Sequence, residues 1–144
     1  MKAKLTTNME EFVQSLKDAT EEQAEGMVRA IATVQISNIR NRLEKGIGLN
    51  DGPLPEYTGS YKKRREDRGR QTRTRDLLFT GRMIRSITIL SVRKAGSAYV
   101  ATIGFASPSE SLKAAGNQAL APWFGISNRD RARIAEYLRK VKST

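Results

Sequence analysis

The sequence predicts an α+β domain: a long N-terminal helix and shorter helices packed on a small antiparallel sheet, with a long basic loop between them. Three observations carry this. From Thr20 onward Val28, Ala32, Ile36, Ile39 and Leu43 recur at spacings of four and three, the period of one helix face. Two β-branched runs, ITILSVRK and SAYVATIGF, are joined by AGS, which fits a hairpin with Gly96 in its turn. Residues 46 to 76 carry no apolar period and are punctuated by Gly, Pro, Asn and Asp, so they read as loop. Helix, loop, hairpin and further helices in that order fit one domain over residues 1–144.

Asn8 followed by Glu11 has the spacing of a capping box, in which the Asn oxygen accepts free backbone N–H groups and the Glu reaches back; Thr20 and Gln23 repeat it. Residues 8 to 19 form either a separate short helix or the start of the long one, kinked at Gly26. Met27, Ile31 and Val34 widen the apolar stripe, and the long helix ends near Gly46. A loop as long as 46–76 is unusual in a small domain and is expected to be functional or to order on a partner. Leu78, Met83, Ile84 and Ile87 then mark a short helix or turn leading into the hairpin, where Ile87 and Ile89 share one face, as do Tyr99, Ala101, Ile103 and Phe105. Ser107 as cap, Pro108 at the first helical position, Glu110 as box partner and Gly116 as stop predict a short helix. Ser127 and Asp130 cap a last helix with Ile134, Tyr137, Leu138 and Val141 on its apolar side, and Glu136 precedes Lys140 by four residues in the favourable order.

The chain has 144 residues, 38% hydrophobic and 28% charged, enough for one modest core. Twenty-six Lys and Arg against fifteen Asp and Glu give +11, a charge that calls for an anionic partner. There is no cysteine and no histidine, so disulfide frameworks and the usual zinc and redox motifs are excluded, and no metal or cofactor is expected. No stretch has the apolar length of a secretory signal or a membrane span, which predicts a soluble protein made in a cytoplasm, with no membrane partner. An enzyme is not expected: acid–base chemistry would fall on carboxylates, Lys or Tyr, and Glu10, Glu11, Glu21, Glu22 and Glu25 sit in or near first helical turns, where solvation explains them. Neither a dinucleotide-binding nor a phosphate-loop motif occurs.

Two stretches are candidate interaction sites. Tyr61, Lys62, Lys63, Arg64, Arg65, Arg68, Arg70, Arg73 and Arg75 make residues 61–76 net +5 against Glu66, Asp67 and Asp76. This stretch docks on an acidic protein surface, binds DNA or RNA with Tyr57 and Tyr61 stacking on bases, or is solvated; no nucleic-acid-binding motif accompanies it. The only tryptophan, Trp123, stands beside Phe124 in APWFGIS. Either the pair staples the last helix to the core, with Pro122 fixing the approach and Gly125 permitting a turn, or it anchors a subunit contact.

DLLFTGRMIRSI (76–87), a strand ending in ATIGF (101–105) and PWFGISNRDRARI (122–134) together resemble the virion morphogenesis family of long-tailed bacteriophages, the tail-completion and head–tail joining proteins. The likeness runs in order over about residues 10 to 140. Ala121 stands where that family often has a basic residue before the proline, and SLKAAGNQAL lacks the histidine common in the preceding segment. The resemblance implies a structural, non-enzymatic virion protein, assembled in the host cytoplasm as a ring subunit at the head–tail junction or tail end. Its partners would be further copies of itself and neighbouring neck, connector or tail-tube proteins, close to DNA in the channel. Tail completion, terminator and neck connector all stay open, and a small basic nucleic-acid-binding protein is the alternative.

Overall fold

The computed structural model of the 144-residue chain describes residues 3–6, 21–72, 81–96 and 98–142. The expected helix start at Asn8 and Glu11, the cap at Thr20, and Arg73, Arg75 and Leu78 lie outside the described residues. The elements in chain order are strand β1 (Ala3–Thr6), helices α1 (Glu21–Glu44), α2 (Gly59–Asp67) and α3 (Arg82–Arg85), strands β2 (Ile87–Ala95) and β3 (Ala98–Phe105), and helices α4 (Pro108–Leu120) and α5 (Asn128–Lys142). This is the α+β class that the sequence predicts.

Helix α1 is continuous through Gly26, and its apolar stripe is buried as expected: Val28, Ala32, Ile36, Ile39 and Leu43, with Ile31 beside them. It ends because Gly46 takes a left-handed φ of 66°. The Gly46 N–H then donates to the Leu43 carbonyl at 3.0 Å and the Ile47 N–H to the Arg42 carbonyl at 2.8 Å, which satisfies the last orphan acceptors.

The sheet has the order β1-β3-β2, antiparallel throughout, and α1 packs across β2 and β3. β1 adds an edge strand absent from the sequence reading; four residues are too few to show a period. In the hairpin Ile87 faces Phe105 and Ile89 faces Ile103, and the turn closes at Ala95 opposite Ala98 with Gly96 at a φ of 63°. A bulge at Leu90 breaks the alternation. With one extra residue in β2 the inward set passes from Ile87 and Ile89 to Val92, which faces Ala101, while Leu90 is left exposed. α3 is the short helix expected before the hairpin. Gly81 opens it at a φ of 78°, a left-handed conformation that favours glycine; the Arg85 guanidinium, 2.5 Å from where a Cβ would lie, sits at the end of a flexible side chain and could swing aside.

Three sequence-based expectations fail locally, one of them the capping box of α4, where Ser107 makes no side-chain cap bond and Glu110 pairs with Lys113 instead. Residues 46–76 are not one extended loop, because Ile47 and Pro53 bridge a tight turn and α2 fills Gly59–Asp67. One glycine that reads as loop punctuation closes this helix instead. Gly69, at a φ of 68°, donates to the Glu66 carbonyl at 3.0 Å while Arg70 donates to the Arg65 carbonyl at 2.8 Å, the same ending as α1. Gly116 does not stop α4. It lies within a run of good helix formers, and the helix continues to Leu120, where Pro122 forces Ala121 into extended backbone. Among the described residues no helix is long and apolar enough to cross a membrane.

Candidate functional site

Trp123 is fully buried and Phe124 nearly so. With Phe105 at the end of β3 they form a cluster of three rings, with centroids 6.2 Å (Phe105–Trp123), 5.2 Å (Phe105–Phe124) and 5.4 Å (Trp123–Phe124) apart. The backbone of the segment is held from α4: Gln118 Oε1 accepts from the N–H groups of both Trp123 and Phe124 at 2.9 Å, and the indole Nε1 donates to the Ala114 carbonyl at 3.4 Å. Neither ring is accessible from outside the chain, so the subunit-contact role considered for Trp123 and Phe124 gives way to the staple.

The other side of the segment is held by polar groups on α1. Gln35, Asn38 and Arg42 are all buried and fall three and four residues apart on one stripe. Arg42 Nε donates to the two carboxylate oxygens of Asp130 at 3.2 and 3.1 Å, and its Nη groups donate to the carbonyls of Trp123 (3.0 Å) and Gly125 (3.2 Å). Gln35 Nε2 reaches the same Gly125 carbonyl at 2.9 Å and Asp130 Oδ2 at 3.1 Å. Asp130 also completes the expected capping box, accepting from Ser127 N–H at 3.1 Å while its own N–H donates to Ser127 Oγ at 3.0 Å. One carboxylate therefore starts α5 and neutralises the buried guanidinium. Removing either partner would strand the other charge in the interior, a loss of about 3 to 5 kcal/mol.

The basic stretch divides. Arg65 is buried, its guanidinium 4.2 Å above the buried Tyr57 ring and its Nε donating to the Gln71 carbonyl at 3.0 Å. It therefore cannot serve the surface contact expected of it, and Tyr57, covered by that guanidinium, is no stacking platform for a base. Tyr61 is 40% exposed and meets Tyr57 edge-on at 5.3 Å. Lys63, Arg64, Arg68 and Arg70 are exposed and Lys62 is half-buried, so α2 and the turn after it present a cationic surface.

A second cationic place comes from residues that charge counting in one stretch passes over. The turn 46–54 folds against the aromatic segment, with Leu49 N–H donating to the Pro122 carbonyl at 3.0 Å. This carries Asp51 to the head of α5, where its Oδ2 accepts from Arg129 N–H at 3.1 Å. A cleft enclosing about 50 Å³ opens there, lined by Lys45, Asp51, Arg129 and Arg133 with the paired Arg42 behind them. Burial works to raise the Asp51 pKa. The Arg129 N–H, the nearby Ser127 hydroxyl and the charges of Arg129 and Arg42 outweigh it, and hold the carboxyl below its ordinary value.

Helix α4 faces outward with little polarity. Leu112 is 76% and Leu120 71% exposed, and Ala115, Gly116 and Ala119 lie between them on the same exposed side. Comparison of the chain with protein-family models, curated proteins and solved structures returns no match.

Proposed function

We propose that the chain is a structural virion protein of the tail-completion and head–tail joining kind, working as a ring subunit through its surfaces. The observation that carries this reading is the uncovered apolar side of α4, Leu112 to Leu120. Contiguous apolar surface of this kind marks an association site. Its helix carries only Glu110 and Lys113, which pair at 3.2 Å, so two copies of a +11 chain can meet there with little local repulsion. The described parts of the three motifs each fill a structural place: GRMIRSI makes the left-handed glycine cap and short helix before the sheet, ATIGF ends the central strand, and PWFGISNRD is the staple and cap of the last helix.

Nucleic-acid binding is the second reading, favoured by the exposed cations of α2. Complementing particle assembly with Leu112→Glu/Leu120→Glu separates the two. Both side chains are exposed, so the fold survives; the ring reading expects unjoined heads and tails, whereas normal particle yield together with salt-sensitive DNA binding by the purified protein would favour the second.

A further inference from the structure

Helix α4 carries a socket on its open side. Leu112, Ala115, Gly116 and Ala119 stand at positions i, i+3, i+4 and i+7, the four-cornered arrangement that receives one side chain of a facing element, and all four are exposed. Three of the corners carry at most a methyl group, with Leu112 and Leu120 walling the ends. Gly116 is not left-handed, and a Cβ built on it would meet nothing within 4 Å, so neither its backbone nor packing within the chain calls for glycine. Glycine inside a helix lowers stability relative to alanine, and the close approach of a second surface is a physical reason to keep it.

The matching knob is Leu90. The bulge between Ile89 and Ser91 turns it out of the β2 alternation and leaves it 42% exposed. Among the described residues the exposed large hydrophobic side chains are Leu112 and Leu120 at the socket, Leu90, and Tyr61. Tyr61 is followed by Lys62, Lys63 and Arg64, cations whose water an apolar socket would strip at a cost. Leu90 instead lies within residues 86–92, which carry no charge, and residues 114–121 of the socket side carry none either. Two copies of a +11 chain can therefore bring these two places together without opposing cations. α4 packs on α3 and β3, whereas Leu90 stands on the edge strand β2, and the exposure of both shows that a copy does not fill its own socket.

We propose that Leu90 of one copy seats in the α4 socket of the next, each copy giving one knob and receiving one. Such a contact is heterologous and propagates from copy to copy, as a ring requires. It rests on the ring-subunit reading above and supplies the second patch that the α4 face meets.

The chain has no cysteine, so introduced thiols report the contact cleanly. Full-length Leu90→Cys and Ala115→Cys chains, each substituted at an exposed position, are purified separately and mixed at millimolar concentration under mild oxidation. The mixed dimer should form about tenfold or more faster than either self-dimer, because only the knob and socket positions come within disulfide reach. Gly116→Leu, added to the Ala115→Cys chain, fills the socket with a better helix former in open space; it should raise the unfolding temperature yet abolish the mixed cross-link, a combination that damage to the fold does not produce. Self-dimers of Ala115→Cys as fast as the mixed dimer, no mixed dimer at all, or a cross-link indifferent to Gly116→Leu would each overturn the proposal. Normal particle yield with Leu90→Glu, beside failure with Leu112→Glu/Leu120→Glu, would overturn the Leu90 assignment and leave the ring reading standing. A mixed dimer from a chain absent from particles would support the contact and remove the virion role.

Discussion

Trp123 is held from three sides, by the rings of Phe105 and Phe124, by Gln118 at its backbone N–H, and by Arg42 at its carbonyl. An aromatic in that position supports everything that follows it in the chain. Trp123→Ala should cost about 3 to 5 kcal/mol, since the cavity beneath the segment cannot collapse while Arg42 and Gln118 hold the backbone in place. Lys63→Ala, at an exposed position, should stay within about 0.5 kcal/mol of wild type. Urea unfolding of the two variants checks this, and equal midpoints would contradict it. The sequence announced the Trp123 environment only in part. Ser127 and Asp130 were legible as a cap because capping is local, but Arg42, 88 residues from Asp130, was not. The available signal was the polar row Gln35, Asn38 and Arg42 at helical spacing beside the apolar stripe, a pattern that marks a buried polar face when a partner carboxylate exists elsewhere.

Among the elements, those set by local rules were readable and those set by distant contacts were not. The end of α1 at Gly46 and the hairpin turn at Gly96 follow from backbone geometry that glycine alone adopts readily. The bulge at Leu90 exists to return Val92 to the core, which no two-residue period reveals. Helix α2 escaped notice because it has no apolar face: its inward residue is Arg65, stacked on Tyr57 eight positions earlier. That stack and the Nε bond to Gln71 help to anchor its C-terminal turn. Arg65→Ala should therefore loosen α2 alone, a local loss of about 1 to 3 kcal/mol. Native-state amide exchange should speed up at Gly69 and Arg70, whose N–H groups close that turn, and remain slow at Ile31 and Ile103. Unchanged exchange at Gly69 and Arg70 would mean that the stack contributes nothing to the helix.

At the scale of the molecule, charge and apolar surface are segregated. The cations of α2 and of the cleft at α5 give the chain two basic places, while α4 leaves an apolar side open between Leu112 and Leu120. In the proposed ring the α4 face of one copy would meet a different patch of the next, because a self-facing contact closes a dimer rather than a ring. The fold class was legible from periodicity, whereas this division of the surface was not, since the cleft joins residues from α1, the 46–54 turn and α5 that the sequence keeps far apart. Quantitative mass spectrometry of phage particles purified from the organism that carries this gene tests the proposed structural role most directly. The role predicts the chain in every particle at a small fixed copy number, the multiplicity of one closed ring; its absence from purified particles, or an amount that varies between preparations, would contradict it.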